Sequence, residues 1–197
     1  MQFGDHLKSL GISNIRMLGD SITAGLKASQ PHLAWPPLFA AEVDGLPIQN
    51  HAVPGTVLQG SRLADGKPRP DNGLGRFKRA LLNEPHRDAI LILYGYNDAR
   101  YTAAPETMNV RNFTRDYGRM LERLIEAGHG ERLAIGSPPY IPDAGFFGRQ
   151  RRLHRPDANG FRRLCRDRRH AGATLLTLLC TCLQEHESSW RRRLGLS

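Results

Sequence analysis

Apolar residues along the chain fall into short blocks whose periodicity changes from one block to the next. Ala89-Ile90-Leu91-Ile92-Leu93-Tyr94 is apolar without alternation, the pattern of a central parallel strand covered on both faces. Asn14-Ile15-Arg16-Met17-Leu18 reads as a short strand, and Leu133-Ala134-Ile135-Gly136-Ser137 as another, ended by Pro138-Pro139. Leu46-Pro47-Ile48-Gln49-Asn50 reads as a strand whose proline marks its beginning or a sheet edge. A different spacing holds Val110, Phe113, Tyr117, Leu121, Leu124 and Ile125 on one stripe. That stripe predicts an amphipathic helix, with Gly128 as a stop. Trp35-Pro36-Pro37 opens a helix through Val43, since proline is tolerated in a first helical turn. Leu74 to Leu82 predicts a further helix, and residues 1–13 a lead-in helix ending at Gly11. Strands alternating with helices predict an α/β fold, a parallel sheet with helices on both faces. No internal repeat is visible.

A chain of 197 residues suggests one domain over residues 1–197 and can bury a full core. No apolar run reaches the roughly 18 residues of a membrane span. The N-terminus has neither a basic start nor an apolar core segment, so no secretory signal is seen and a cytoplasmic location is expected. Cys165, Cys180 and Cys182 lack zinc-type spacing and read as free thiols of a reducing compartment.

The net charge of +9 changes the picture only when it is located. Residues 1–148 hold 12 Arg and 4 Lys against 15 acids, and residues 149–197 hold 12 Arg against 4 acids. The basic character therefore belongs to an atypical tail over 149–197. A nucleic-acid partner would rest on that tail alone. Only Phe161 and Trp190 interrupt it as aromatics, which gives base stacking little support. No specific nucleic-acid partner is expected.

Candidate chemistry gathers at predicted strand ends, where open α/β sheets meet their ligands. Gly19-Asp20-Ser21 leaves the first strand, Pro54-Gly55-Thr56 follows the second, and Gly95-Tyr96-Asn97-Asp98 follows the central one. Each has a plainer reading. Asp20 or Ser21 could cap a following helix, Gly55 could serve a tight turn, and Asn97-Asp98 could cap the next segment. Together they offer what acyl transfer requires, a hydroxyl nucleophile and hydrogen-bond donors for a developing oxyanion. Ser21 supplies the hydroxyl and a backbone N–H, Gly55 a backbone N–H, and Asn97 a side-chain amide.

Leu18-Gly19-Asp20-Ser21-Ile22-Thr23 resembles the first block of the SGNH, or GDSL-type, esterase and lipase superfamily. Asn50 through Thr56 is similar to its second block, and Gly95-Tyr96-Asn97-Asp98 to its third. The resemblance covers about residues 14–145. It implies a three-layer α/β/α, flavodoxin-like fold with about five parallel strands. It implies Ser21 as nucleophile, and Ser21, Gly55 and Asn97 as the oxyanion hole, with Asp20, Gly95 and Asp98 in support. It implies no metal and no organic cofactor, and a small-molecule ester as partner. The Gly-x-Ser-x-Gly elbow of the α/β-hydrolases is absent.

The resemblance also implies a last block, Asp-x-x-His, whose histidine takes the serine proton while the acid orients it. Two histidines are read as substitutes, and neither has the acid. His154, in a His-Arg-Pro…Gly-Phe stretch, has Arg151 three residues before it, and His186 has Leu183. The block is therefore read as missing, with His154 ranked first as the base. Ala173 to Leu179 reads as a fifth strand or as a buried helical segment. The composition break together with the missing block predicts that the tail after about Phe147 is partly out of its ancestral reading frame.

These readings lead to a serine hydrolase acting on small acyl esters through an acyl-enzyme at Ser21. Two alternatives stand beside it. One is a remnant that keeps the fold and binds acyl ligands without turnover. The other is a binder of nucleic acid or acidic surfaces through the arginine tail.

Overall fold

The computed structural model describes residues 3–43, 45–60, 67, 71–82, 88–100 and 108–136. Five α-helices and four strands follow one another among them: α1 (Phe3–Ser9), β1 (Asn14–Gly19), α2 (Trp35–Glu42), β2 (Ile48–Asn50), α3 (Gly73–Leu81), β3 (Asp88–Leu93), α4 (Tyr96–Arg100), α5 (Val110–Leu124) and β4 (Leu133–Gly136).

The four described strands form one parallel sheet in the order β2-β1-β3-β4. The direction of strand addition reverses between β1 and β3, and such a switch point opens a crevice at the carboxyl ends of the strands. The register sets Gly19 of β1 opposite Leu93 of β3, and Leu93 opposite Gly136 of β4. Four strands are described where about five were expected. The candidate fifth, residues 173–179, lies outside the described residues.

Alternation along the strands divides the core into two layers. Ile15, Met17, Ala89, Leu91 and Ala134 pack with Leu7 of α1 and Val43 after α2. Leu18, Ile90, Ile92, Leu133 and Ile135 pack with Phe77 and Leu81 of α3 and with Tyr117, Leu121 and Leu124 of α5. Helices thus cover both faces, which is why β3 and β4 read as nearly continuous apolar runs. Among the described strands β2 is a short edge strand, and it begins just after Pro47, where the missing N–H of proline is tolerated.

Helix starts follow local chemistry. The side chains of Asn72 and Asn109 accept N–H bonds from Gly75 and Asn112 at 2.7 and 3.0 Å, capping α3 and α5. The end of α5 widens into a π turn over Ile125–His129, and Gly128 leaves it with φ 86°. One ionic feature lies within the sheet. Arg16 of β1 pairs with Asp88 at the start of β3, with side chains only 6% and 2% exposed.

Candidate active site

β1 ends at Gly19 because a side chain cannot fit there. A Cβ at Gly19 would stand 2.8 Å from the Leu93 carbonyl oxygen and inside the Thr23 side chain. The chain then turns sharply. Asp20 is buried, and its Oδ1 accepts the Ile22 N–H at 2.9 Å. This is the local capping role of the plainer reading, although turns rather than a helix follow as far as Lys27. Burial pushes the Asp20 carboxyl above the usual carboxylate range, against the backbone N–H bonds it accepts. Ser21 is half-buried, two residues beyond the end of β1.

The second segment is fastened to the first. His51 N–H donates to the Met17 carbonyl at 2.8 Å, and Val53 N–H to the Gly19 carbonyl at 3.1 Å. The Asn50 side chain donates to the Thr23 carbonyl at 2.6 Å and accepts from Ala52 N–H at 3.0 Å. Gly55 therefore sits five residues past the end of β2, in a loop held against the exit of β1. Its φ of 77° favours glycine, and a Cβ there would meet nothing within 4 Å. The requirement at residue 55 is thus the backbone angle rather than space.

The third segment is fastened to the second. Gly95 has φ 129°, and α4 begins at once, so Asn97 and Asp98 lie in a short helix rather than in a plain turn. Asn97 donates its side-chain N–H to the Thr56 carbonyl at 2.8 Å. Asp98 is buried and accepts the N–H groups of Leu58 and Gln59 at 2.9 and 3.1 Å, and the Gln59 side-chain amide at 3.2 Å. Burial pushes its carboxyl up, while those bonds oppose the shift. Gly60 N–H goes to Asp116 of α5 at 3.0 Å, and Arg115 holds the other oxygen of that carboxylate at 2.9 Å. Three successive amides, 58 to 60, are thus satisfied by two buried carboxylates.

Beneath these segments lies a buried cation that sequence reasoning passed over. Arg76 of α3 is 8% exposed. It donates to the carbonyls of Asp71 and His51 at 2.8 and 2.7 Å, to the Gly19 carbonyl at 3.4 Å, and to Tyr94 Oη at 2.6 Å. Tyr94 lies 3.0 Å from Thr56 Oγ1. Burial raises the Tyr94 phenol above its usual range, against the contributions of Thr56 and Arg76. The signal was present in part, since Arg76 falls on the buried stripe of α3 where an apolar residue belongs. His51 is half-buried beside a cleft of about 500 Å³ lined also by Asn50, Val53, Arg76 and Arg79. Burial first, then Arg16 and Arg76, holds its imidazole below the ordinary histidine value.

Ser21, Gly55 and Asn97 therefore come from segments that share one edge of the sheet, at the β1/β3 switch point. Asp20, Gly95 and Asp98 stand beside them. His154 and His186 lie outside the described residues. The reading that no Asp-x-x-His occurs needs correction from the letters themselves. Asp167-Arg168-Arg169-His170 has that spacing, so a missing block no longer supports a remnant or a lost reading frame. Both residues lie outside the described part. Among the described residues, no group of three or more His, Cys, Asp or Glu could hold a metal ion. No described helix is long and apolar enough to cross a membrane.

A parallel α/β sheet with helices on both faces and these three segments on its carboxyl edge define an SGNH-like hydrolase fold. The chain belongs to the GDSL-like Lipase/Acylhydrolase family, whose profile matches residues 17–195. Among solved structures it is similar to a family two carbohydrate esterase from Clostridium thermocellum in complex with cellohexaose. That match has a TM-score of 0.55 and 16% identity, over 82% of this chain and 51% of the other. A second solved structure matches with a TM-score of 0.45 and 19% identity, over 66% of this chain and 58% of the other. The chain thus spans little more than half the length of either structure. No curated protein matches it.

Proposed function

We propose that the chain is a serine hydrolase cleaving carboxylic esters of small acyl groups through an acyl-enzyme at Ser21. The carrying observation is the joining of three segments at one strand edge, with Asn97 bonded to the loop that holds Gly55 and that loop bonded to the exit of β1. Membership of an acylhydrolase family supports the ester class. The carbohydrate esterase with a similar fold points to the same bond type.

In this reading Ser21 Oγ attacks the acyl carbon and a histidine accepts its proton. The N–H groups of Ser21 and Gly55 and the Asn97 side chain receive the oxyanion. The histidine returns the proton to the departing alcohol. Water, deprotonated by the same histidine, then releases the acid and regenerates Ser21. His154 keeps the Pro and Gly-Phe context of the resemblance, whereas His170 keeps its spacing from an acid. His186 has neither. The base is assigned to His154 or His170.

The test is hydrolysis of p-nitrophenyl acetate together with covalent labelling by a fluorophosphonate probe. Both are expected, and both disappear in Ser21→Ala. Single His154→Ala and His170→Ala variants then identify the base. A folded wild-type chain that neither hydrolyses the ester nor takes the probe establishes the non-catalytic alternative instead.

A further inference from the structure

Thr56 Oγ1 donates to the Val53 carbonyl at 2.7 Å, and a hydroxyl has one hydrogen to give. Its 3.0 Å contact with Tyr94 is therefore one in which Tyr94 donates. Tyr94 Oη in turn accepts from Arg76 at 2.6 Å. The direction of the whole row is fixed: Arg76 to Tyr94, Tyr94 to Thr56, Thr56 to Val53. Its last bond closes the turn Val53-Pro54-Gly55-Thr56, and Gly55 lies inside that turn. The Thr56 carbonyl is held separately by Asn97.

Arg76 anchors the row at a considerable physical cost. It is 8% exposed, and none of the ion pairs among the described residues includes it. Burying a guanidinium without a counter-charge is unfavourable unless its N–H groups find acceptors. The acceptors here include Gly19, His51 and Tyr94, which stand at the exits of β1, β2 and β3. Gly73, at the start of α3, leaves room for the tyrosine ring, since a Cβ there would come within 2.9 Å of it.

We propose that Tyr94 is a positioning residue for the Gly55 N–H, acting through the Thr56 hydroxyl and itself oriented by Arg76. This rests on the reading of Gly55 as an oxyanion donor. Loss of the row loosens the turn without removing a group that touches substrate. The expected effect falls on the transition state more than on ground-state binding.

The test compares Tyr94→Phe, Thr56→Val and Thr56→Ser with the wild type in the full chain. Steady-state kinetics on p-nitrophenyl acetate and the rate of fluorophosphonate labelling are measured, with thermal unfolding as a control. Tyr94→Phe and Thr56→Val are each expected to lower kcat about tenfold with little change in KM, and to slow labelling in parallel. Thr56→Ser restores both rates, because it keeps the hydroxyl. A drop in melting temperature with unchanged kcat per folded molecule, or a Thr56→Ser variant as slow as Thr56→Val, overturns the positioning role alone. A folded wild type inert to both reagents overturns the esterase reading and this role with it.

Discussion

Asn97 donates one side-chain N–H to the Thr56 carbonyl at 2.8 Å, which ties the exit of β3 to the loop carrying Gly55. A carboxamide nitrogen has two hydrogens. One therefore fixes the loop, and the other remains for the oxyanion of the proposed reaction. Asn97→Ala removes both. The expected outcome is a loss of about 100-fold in kcat, the usual scale for one oxyanion donor, with a stability loss of about 1 kcal/mol from the unanswered carbonyl. Ester kinetics and urea unfolding on the same preparation separate the two effects.

Gly19 and Gly55 need glycine for different reasons, and alanine at each should tell them apart. At Gly55 only φ is unfavourable, so Gly55→Ala should cost about 1–2 kcal/mol. Its main effect should be on catalysis, through a displaced N–H. At Gly19 a Cβ collides with backbone across the sheet, so Gly19→Ala should destabilise by about 3 kcal/mol or more. Thermal melts and kcat of the two variants, measured together, check the contrast.

The buried Arg16–Asp88 pair lies at the opposite end of β3 from the site. Asp88→Ala leaves a buried guanidinium without its partner, which should cost about 3–5 kcal/mol. The fraction that still folds should keep its kcat. Urea titration with activity normalised to folded protein reads both quantities.

Stability should fall in mild acid through His51. Its pKa is depressed in the fold, so the unfolded chain takes up a proton first as pH drops through about 6.5. The stabilisation is complete above that value and is lost as pH falls toward the lower folded value. Asp20 and Asp98 act in the reverse sense. Their raised values cost stability at neutral pH, and that cost is relieved as they protonate in the fold. His51→Gln should therefore flatten the decline in urea midpoint between about pH 7.5 and about pH 5.5.

The framework was legible because each buried element repeats a simple pattern. The unbroken apolar run of β3 and the stripe of α5 both announce what covers them, and the observed bounds differ from the expected ones by a residue or so. α4 escaped because five residues show no period, and Gly95-Tyr96-Asn97-Asp98 reads equally well as a turn. Arg76, Thr56 and Asp116 escaped for a different reason. Their partners include carbonyls, amides and a phenol far away in the chain, and no local spacing encodes a bond from residue 60 to residue 116. Asp167-Arg168-Arg169-His170 is a miss of another kind. The letters are plain, but the proline and Gly-Phe neighbours of the resemblance attach to His154 instead.

The tether of Leu58, Gln59 and Gly60 to Asp98 and Asp116 has an architectural consequence. The start of α3 holds the same stretch from the other side, since the N–H groups of Gly73 and Leu74 donate to the Val57 and Leu58 carbonyls at 2.8 and 3.0 Å. Changes of length between residues 61 and 70 therefore fall between two fastened points and should be tolerated better than changes between residues 53 and 60.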